Sequence, residues 1–451
     1  MSERAFIEKL NKENSAFPYE RSARNMANAL TSLSSDIFTE YIRFLFELVQ
    51  NADDAEATQL TINVGAGHIT IAHNGKPFTE GDVEAICSIG EGTKRGDQSK
   101  TGYKGIGFKS VFGKSRDVAI FSDGFQFRFS QAFRHEQYPD TPMPWHIIPE
   151  WVEKSAYPAP VFELPGAHPW TVITVLSMAG ADQLRTDLLE LIGNGEVLLF
   201  LRHLLKIQVV GLEEMTIART IKLGTASYTA VALEKNGTVI SEWLTHTFDR
   251  IAIAPEVRKE LSLDEKMPRK LQEAEHADIA FAAKLHNGKI TRLLDEESLI
   301  YTYLPTKVRN FRFPFLVNSS FLTNAGREEL HDDRRWNAWL MEQVGEKIVD
   351  WLALLAGTDD HRDHILLLLP TDSQLGGRLA VEFYRAYKRQ ATAMAFIPAR
   401  SGGLLKAGET LVDGTGLSEV AFIPPEAVIE FYNAIHGCAL GPKAFIRSEV
   451  V

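Results

Sequence analysis

The chain has 451 residues, more than one hydrophobic core holds, so two or three domains are expected. Its composition is that of an ordinary soluble globular protein, and 48 basic against 59 acidic residues give a formal charge of −11. That balance excludes a global electrostatic footprint for nucleic acid, although not a local basic groove. The only two cysteines, Cys87 and Cys438, exclude a disulfide framework or a cysteine-rich zinc site and suit a reducing, cytoplasmic setting. The N-terminus, MSERAFIEKLNKENSAF, lacks the long apolar core of a signal peptide, and apolar runs such as ILLLLP at 365–370 are too short to span a bilayer.

Residues 1–35 are polar and read as helical, ending in the capping-type cluster SLSSD. An apolar helical run follows, FTEYIRFLFELVQNADDA, which carries Glu47 and Asn51 at i, i+4 on one helix face. A carboxylate one turn from a carboxamide can divide one task. The acid accepts a proton from an attacking water, and the amide oxygen ligates a hard cation such as Mg²⁺. By itself the pair also fits a solvated helix face. Two β-type runs come next, QLTINVG and HITIAHNG. Thr79 then caps a short helix, with Asp82 three residues on as a capping-box variant.

Gly90–Gly102, GEGTKRGDQSKTG, reads either as a solvated surface loop or as a mobile lid. It leads into GYKGIGFKSVF, where Gly102, Gly105 and Gly107 let backbone approach a ligand closely. The apolar run after them is expected to start a helix, whose free N–H groups favour anionic oxygens. This is not a P-loop, because Phe108 separates Gly107 from Lys109 and no strand leads into the loop. DVAIFSDGFQFRFS and PWTVITVLS are strand-like, with Thr171 at the start of the second.

From about Asp182 the pattern shifts. A helix, LRTDLLELIG, and the run LLFLRHLLKIQVVG lead into alternating strands through residue 246. A charged stretch, PEVRKELSLDEKMPRKLQEAEHADIAFAA, reads as helical, and Arg327-Glu328 is expected to open a helix after a loop. Arg309, Arg312, Arg327, Arg334 and Arg335 crowd this region, most of them as solvated cations. Residues 336–356 read as an amphipathic helix, and the remainder as short helices with Gly- and Pro-punctuated strands, without a catalytic constellation.

Taken together, ELVQNADDA, HNGKPF and GYKGIGFKS resemble the N box, the turn after the second strand and the lid-end glycine box of the Bergerat-fold ATPases. That superfamily comprises gyrase B, the large heat-shock chaperones, sensor histidine kinases and MutL-type repair proteins. The nearest resemblance is to the N-terminal ATPase-like region of sacsin-type proteins. It implies an α+β chain: a Bergerat-type α/β sandwich over 1–180, a mixed and largely antiparallel sheet with helices on one face. A transducer-like α+β domain would occupy 181–340, and a smaller C-terminal α/β region 341–451, continuing in a longer polypeptide.

The same resemblance implies the site. Glu47 is the general base, Asn51 the Mg²⁺ ligand, and Asp54 a polar group near the base, with Ala55 beside it. His73, Asn74, Gly75 and Phe78 border the adenine pocket. Thr93 and Lys94 come from the lid. Gly102, Tyr103, Lys104, Gly105, Ile106, Gly107, Phe108 and Lys109 surround the phosphates. Thr171 reaches the base or its bound water, and Arg327 touches the γ-phosphate from the second domain. One departure stands out: His73 occupies the place of the family's adenine-contacting aspartate, and an imidazole is not a carboxylate. The activity implied is Mg-dependent ATP hydrolysis at low turnover, driving lid closure and domain rearrangement. The alternative is a nucleotide-binding scaffold with little turnover. ATP, a nucleotide-dependent homodimer and a protein client or partner subunit are the partners implied, with no direct nucleic-acid signature and no membrane. A role in defence or DNA processing follows by family analogy alone.

Overall fold

A computed structural model describes residues 2–36, 41–88, 107–166, 169–178, 181–211, 214–264, 267, 269–324, 327–370, 377–399, 403–412, 425–436 and 444–446. The chain divides into two compact units. The first comprises 1–220 with 233–240 and 259–274, and the second 221–232, 241–258 and 275–451. The division after Thr220 lies well beyond the expected boundary at 180, for a reason seen in the first sheet.

In the first unit, α1 (Glu3–Ser15) is opened by Ser2, whose hydroxyl accepts from the Ala5 N–H. Helix α2 (Glu20–Asp36) follows, so the SLSSD cluster lies inside a helical end and is not a cap. Then come α3 (Tyr41–Asp54), the β1 (Gln59–Val64) and β2 (His68–His73) hairpin, and α4 (Glu80–Ile86). Helix α4 has the reciprocal Thr79–Asp82 capping box expected from the sequence. Beyond it lie a 3₁₀ helix (Gly107–Gly113), β3 (Asp117–Ser122), β4 (Phe125–Ser130), α5 (Gln131–Gln137), β5 (Glu150–Trp151) and β6 (Val172–Ser177). Helix α6 (Ala181–Ile192), β7 (Lys206–Val210) and β8 (Met215–Gly224) complete the series.

The sheet runs β5-β4-β3-β6-β2-β1-β7-β8 and is mixed. The β1–β7 pairing is parallel, and the other pairs from β5 to β8 are antiparallel. That parallel pairing carries residues beyond 200 into the same layer as β1. A long-range pairing of this kind leaves no mark in a local pattern.

Period-two alternation sorts the side chains. Leu60, His73, Val172, Ser122 and Phe125 form one row across β1, β2, β6, β3 and β4. On that face Phe6 of α1 meets Phe125 edge-on. The opposite face carries Ala72, Ala119, Phe121, Ile173 and Val175, closed over by Val152, Tyr157 and Val161. The helical side is therefore the one to which His73 belongs.

Strands β9 (Thr229–Lys235) and β10 (Thr238–Ala252) contribute residues to both units. After α7 (Pro255–Leu263) and α8 (Arg269–Gln272), the second unit adds β11 (His276–His286), β12 (Lys289–Ile290), β13 (Ile300–Thr302), β14 (Leu304–Pro305) and β15 (Leu316–Asn318). HADIAFAA is thus a strand and not the continuation of the charged helix, since it pairs on both edges with β10 and β15. Helix α9 (Arg335–Ala356) is buried on most of its surface and lies against α10 (Arg378–Ala393). Trp351 of α9 stacks on Phe281 of β11, with centroids 5.7 Å apart. Among the described residues no helix is long and apolar enough to cross a membrane.

Candidate functional site

Helix α3 buries Phe44, Leu45, Phe46, Leu48, Val49 and Ala52, while Glu47, Asn51, Asp54 and Ala55 remain partly exposed. At 3.6 residues per turn, positions 47, 51 and 54 fall within about 60° of one another. An acid, an amide and a second acid therefore form a polar stripe on a helix whose other side chains from Phe44 on are buried. The Glu47 side chain enters no hydrogen bond or ion pair among the described residues.

The turn after β2 is fastened to the C-terminal end of this helix. Gly75 lies so close to it that a Cβ there would come within 2.5 Å of the Ala55 carbonyl oxygen and 2.9 Å of the Ala57 nitrogen. Only glycine fits such an approach. The next residue, Lys76, donates its N–H to Ala55 O at 2.7 Å. The start of β6 closes the assembly: Thr171 N–H donates to His73 O at 3.0 Å, and its hydroxyl reaches the His73 (3.1 Å) and Gly75 carbonyls. Thus Asn51–Ala55, His73–Gly75 and Thr171, far apart in sequence, meet in one place. Phe78 is held nearby by its N–H, which donates to Ser122 Oγ at 2.8 Å.

His73 is buried, and its Nδ1 accepts the Gly75 N–H at 3.2 Å. Burial lowers its pKa to about 4, so the ring is neutral and Nε2 carries the proton. Position 73 therefore offers a donor where an aspartate would offer an acceptor. Asn74 has a framework role. Its Oδ1 accepts from the N–H groups of Thr58 and Gln59, and its Nδ2 donates to Thr58 Oγ1.

The glycine-rich stretch is described only from Gly107, where the run after the glycines forms a 3₁₀ helix, Gly107–Gly113. Thr93, Lys94, Gly102, Tyr103, Lys104, Gly105 and Ile106 lie outside the described residues. Phe108 meets Phe112 edge-on. Lys109 was expected beside phosphates, but its ammonium lies in the interior. It donates to His146 O at 3.0 Å and to Ile86 O, with the Phe112 and Phe129 rings 5.4 and 5.8 Å away. Burial pushes its pKa down to about 8 and that of the neighbouring Cys87 thiol up to about 12. Asn14 of α1 works beside it, donating to the Cys87 and Ile147 carbonyls. Residues 86–87 and 146–147 are thereby tied together.

Arg327 belongs to the second unit and sits in a turn, not at a helix start. Its φ is +57°, its carbonyl accepts from Lys307 N–H, and its Nη1 donates to Thr302 Oγ1 at 3.2 Å. A Thr323–Leu330 bridge closes the loop, and Asn324 Oδ1 accepts from Glu328 N–H. The fully buried Asn337 pins the loop base by bonding Leu322 on both sides and the His331 carbonyl.

Asp53 is a further polar residue of α3, outside the motif roles. It is 1% exposed, and its carboxylate accepts three consecutive backbone N–H groups, those of Arg202 (3.0 Å), His203 (2.8 Å) and Leu204 (2.8 Å). Helical phase offered the signal. Position 53 falls on the arc of Phe46 and Val49, where an acid has to be satisfied internally.

As a test of fit for a divalent ion, the partly exposed donors on α3 are hard oxygens, the class Mg²⁺ prefers. Among the described residues no group of three or more His, Cys, Asp or Glu side chains forms a ready metal cage. An ion held by one or two protein oxygens and by phosphates requires none.

Comparison with known proteins adds three relatives and one family. The Sacsin domain family matches residues 62–127, from within β1 to within β4. The chain is 25% identical to protein NO VEIN of Arabidopsis thaliana over 72% of its own length, and 38% identical to sacsin of Homo sapiens over 18%. It is 34% identical over 21% of its length to a protein of Herpetosiphon aurantiacus described as the putative type II restriction enzyme HgiDII. The chain spans 12%, 2% and 17% of these three relatives respectively. The similarity is sacsin-like in kind.

Proposed function

We propose that this sacsin-like chain binds a magnesium-bound purine nucleoside triphosphate, ATP on the resemblance set out above, and hydrolyses it slowly. The observation that carries the reading is the α3 stripe. Glu47, Asn51 and Asp54 share one face of a packed helix, Lys76 ties the His73–Gly75 turn to Ala55 at its end, and Thr171 is hydrogen-bonded to that turn. In this reading Glu47 takes the proton of the attacking water, and the Asn51 amide oxygen ligates Mg²⁺. Bound magnesium supplies charge neutralisation at the phosphates. On the resemblance, the N–H groups around Gly102, Gly105 and Gly107 would hold the β- and γ-phosphates, and Arg327 would supply a cationic group to the γ-phosphate. Phosphoryl transfer is chiefly positioning and electrostatic stabilisation, so a base, a hard-oxygen ligand and oriented amides form a sufficient set.

Hydrolysis would drive rearrangement of the two units, with a nucleotide-dependent homodimer as the working form and a protein client or partner subunit as the recipient. The relative described as a putative restriction enzyme supports a DNA-related or defence setting. A second reading, a nucleotide-binding regulatory module without turnover, is favoured by one observation: His73 presents a donor where the resemblance calls for a carboxylate acceptor.

Phosphate release and nucleotide affinity, measured on the same protein, separate the two. Mg-dependent release abolished by Glu47→Ala supports the enzyme, whereas binding without release supports the module. Release that survives Arg327→Ala unchanged removes the arginine's assignment, and absence of both binding and release removes both readings.

A further inference from the structure

The stripe on α3 can act only if the helix is fixed in rotation and height, because a reactive constellation tolerates about 0.5 Å of error. Apolar packing sets that position coarsely. Asp53 supplies the directional contact. It lies between Asn51 and Asp54 in sequence but on the opposite, packed side of the helix. Three consecutive N–H groups converge on its carboxylate, a concave backbone nest with the side chain in the place of a bound anion. Bonds of this kind are charge-assisted and short. Rotation or sliding of the last turn of α3 would stretch all three at once.

The strap that supplies those amides, residues 198–204, is gripped from its other side too. Arg219 on β8 donates through Nη1 to the carbonyls of Leu198 (2.6 Å), Leu199 (3.4 Å) and Leu201 (2.8 Å). The Arg219 N–H donates to Leu205 O at 2.8 Å. Carbonyls of the strap therefore point to a partly buried guanidinium and its N–H groups to a buried carboxylate. The peptide dipoles of the strap are aligned between opposite charges. Burial lowers the pKa of Arg219, and the negative charge of Asp53 works against that shift.

The strap also continues into the nucleotide-facing turn. Leu205 and Lys206 donate their N–H groups to Thr58 O at 3.0 and 3.1 Å. Asn74 bonds Thr58 on its other side, and Gly75 and Lys76 meet Ala55 at the end of α3. The circuit of hydrogen bonds is closed: α3, strap, start of β1, turn 73–76, and back to α3. A displacement at any point is felt by both the Glu47–Asn51 stripe and the His73–Gly75 turn.

We propose that Asp53 is a positioning residue for hydrolysis, holding the Glu47–Asn51 stripe in register with the 73–75 turn through the 198–204 strap, with Arg219 as its counterpart on that strap. This rests on the proposed nucleotide site. Neither residue touches nucleotide; both act through backbone.

The test is steady-state phosphate release with MgATP, together with thermal unfolding, for the wild-type chain, Asp53→Asn, Arg219→Lys and the double variant. Asp53→Asn keeps the shape but turns one acceptor into a donor facing the Arg202 N–H. The expected result is kcat reduced tenfold or more with KM within twofold of wild type. Arg219→Lys should lower kcat by a smaller factor in the same pattern. The double variant should be no slower than Asp53→Asn, because two contacts on one strap do not act independently. If Asp53→Asn lowers Tm while kcat and KM stay at wild-type values, its role is structural only and the proposal falls. If Asp53→Asn does not fold, Arg219→Lys decides alone: an unchanged kcat overturns the proposal, and a reduced kcat at constant KM supports it. A wild-type chain that neither binds nor hydrolyses MgATP removes the nucleotide reading and this proposal together. Wild-type turnover that the variants leave intact removes only this proposal.

Discussion

Helices α3 and α9 are both packed on nearly every side, yet they treat polar residues differently. In α9 the inward amide of Asn337 is fully engaged, pinning the loop from Leu322 to His331, and Gly345 gives α10 room to approach. A Cβ on Gly345 would come within 2.4 Å of the Phe383 carbonyl oxygen. In α3 the inward Asp53 is engaged in the same manner, but a second set, Glu47, Asn51 and Asp54, is turned outward on one line. A satisfied buried polar group serves architecture in both helices. Helix α9 also has an aligned, partly exposed row, Glu342, Glu346 and Asp350, but its carboxylates are paired with Arg385, Arg389, Lys347 and Gln390, whereas the Glu47 side chain of α3 enters no hydrogen bond or ion pair among the described residues.

Substitutions in the two helices should therefore fail in different assays. The largest effect is expected for Glu47→Ala, which should lower phosphate release by about 10²–10⁴-fold, the usual contribution of a positioned general base, with Tm near wild type. Trp351→Ala in α9 should do the reverse. It should cost about 3–5 kcal/mol of stability by denaturant titration, because it empties a stacked core site and leaves the Ser227 carbonyl without its indole donor. Equal loss of activity and stability in both variants would erase the distinction.

Gly75→Ala sharpens it from between these extremes. The added methyl meets backbone at Ala55 and Ala57, so a destabilisation of about 1–3 kcal/mol should come with reduced nucleotide affinity. Loss of stability alone would detach the turn from the site.

The remaining effect is acidic and belongs to the fold as a whole. His73 and His146 have pKa values lowered by burial to about 4 and about 3, from 6.5. Below pH 6.5 the unfolded chain thus binds more protons than the folded one. Their neutral forms contribute fully above about 6.5, and stability should decline as pH falls toward 4. Urea midpoints from pH 7.5 to 4.5 measure this, and nucleotide affinity should show no histidine-linked step between pH 6.5 and 8.

Much of the first unit could be read from the chain. The i, i+4 spacing of Glu47 and Asn51, the alternation of β1 and β2 and the Thr79–Asp82 box are local signals, and local physics decides them. What escaped was decided at a distance. His73 is a donor at Nε2 because the N–H of Gly75 occupies its other nitrogen. Lys109, hydrophilic by type, is buried because two carbonyls and two rings receive it. HADIAFAA, alanine-rich, became a strand because β10 and β15 offered edges on both sides. Arg327 entered a left-handed turn because bonds to Asn324, Thr302 and Lys307 hold it there.

The parallel pairing of β7 with β1 has a practical corollary. A fragment cut at residue 180 would keep all the signature residues of the first unit, yet it would expose the raw edge of β1 and strip Asp53 of its three amides. The Sacsin-domain match at 62–127 is narrower still, since it begins after α3 has ended. A piece for crystallisation or assay that keeps this pairing and the amides bound by Asp53 therefore has to reach at least Val210, the end of β7. Shorter versions would report on a frayed border and not on the chemistry of the intact fold.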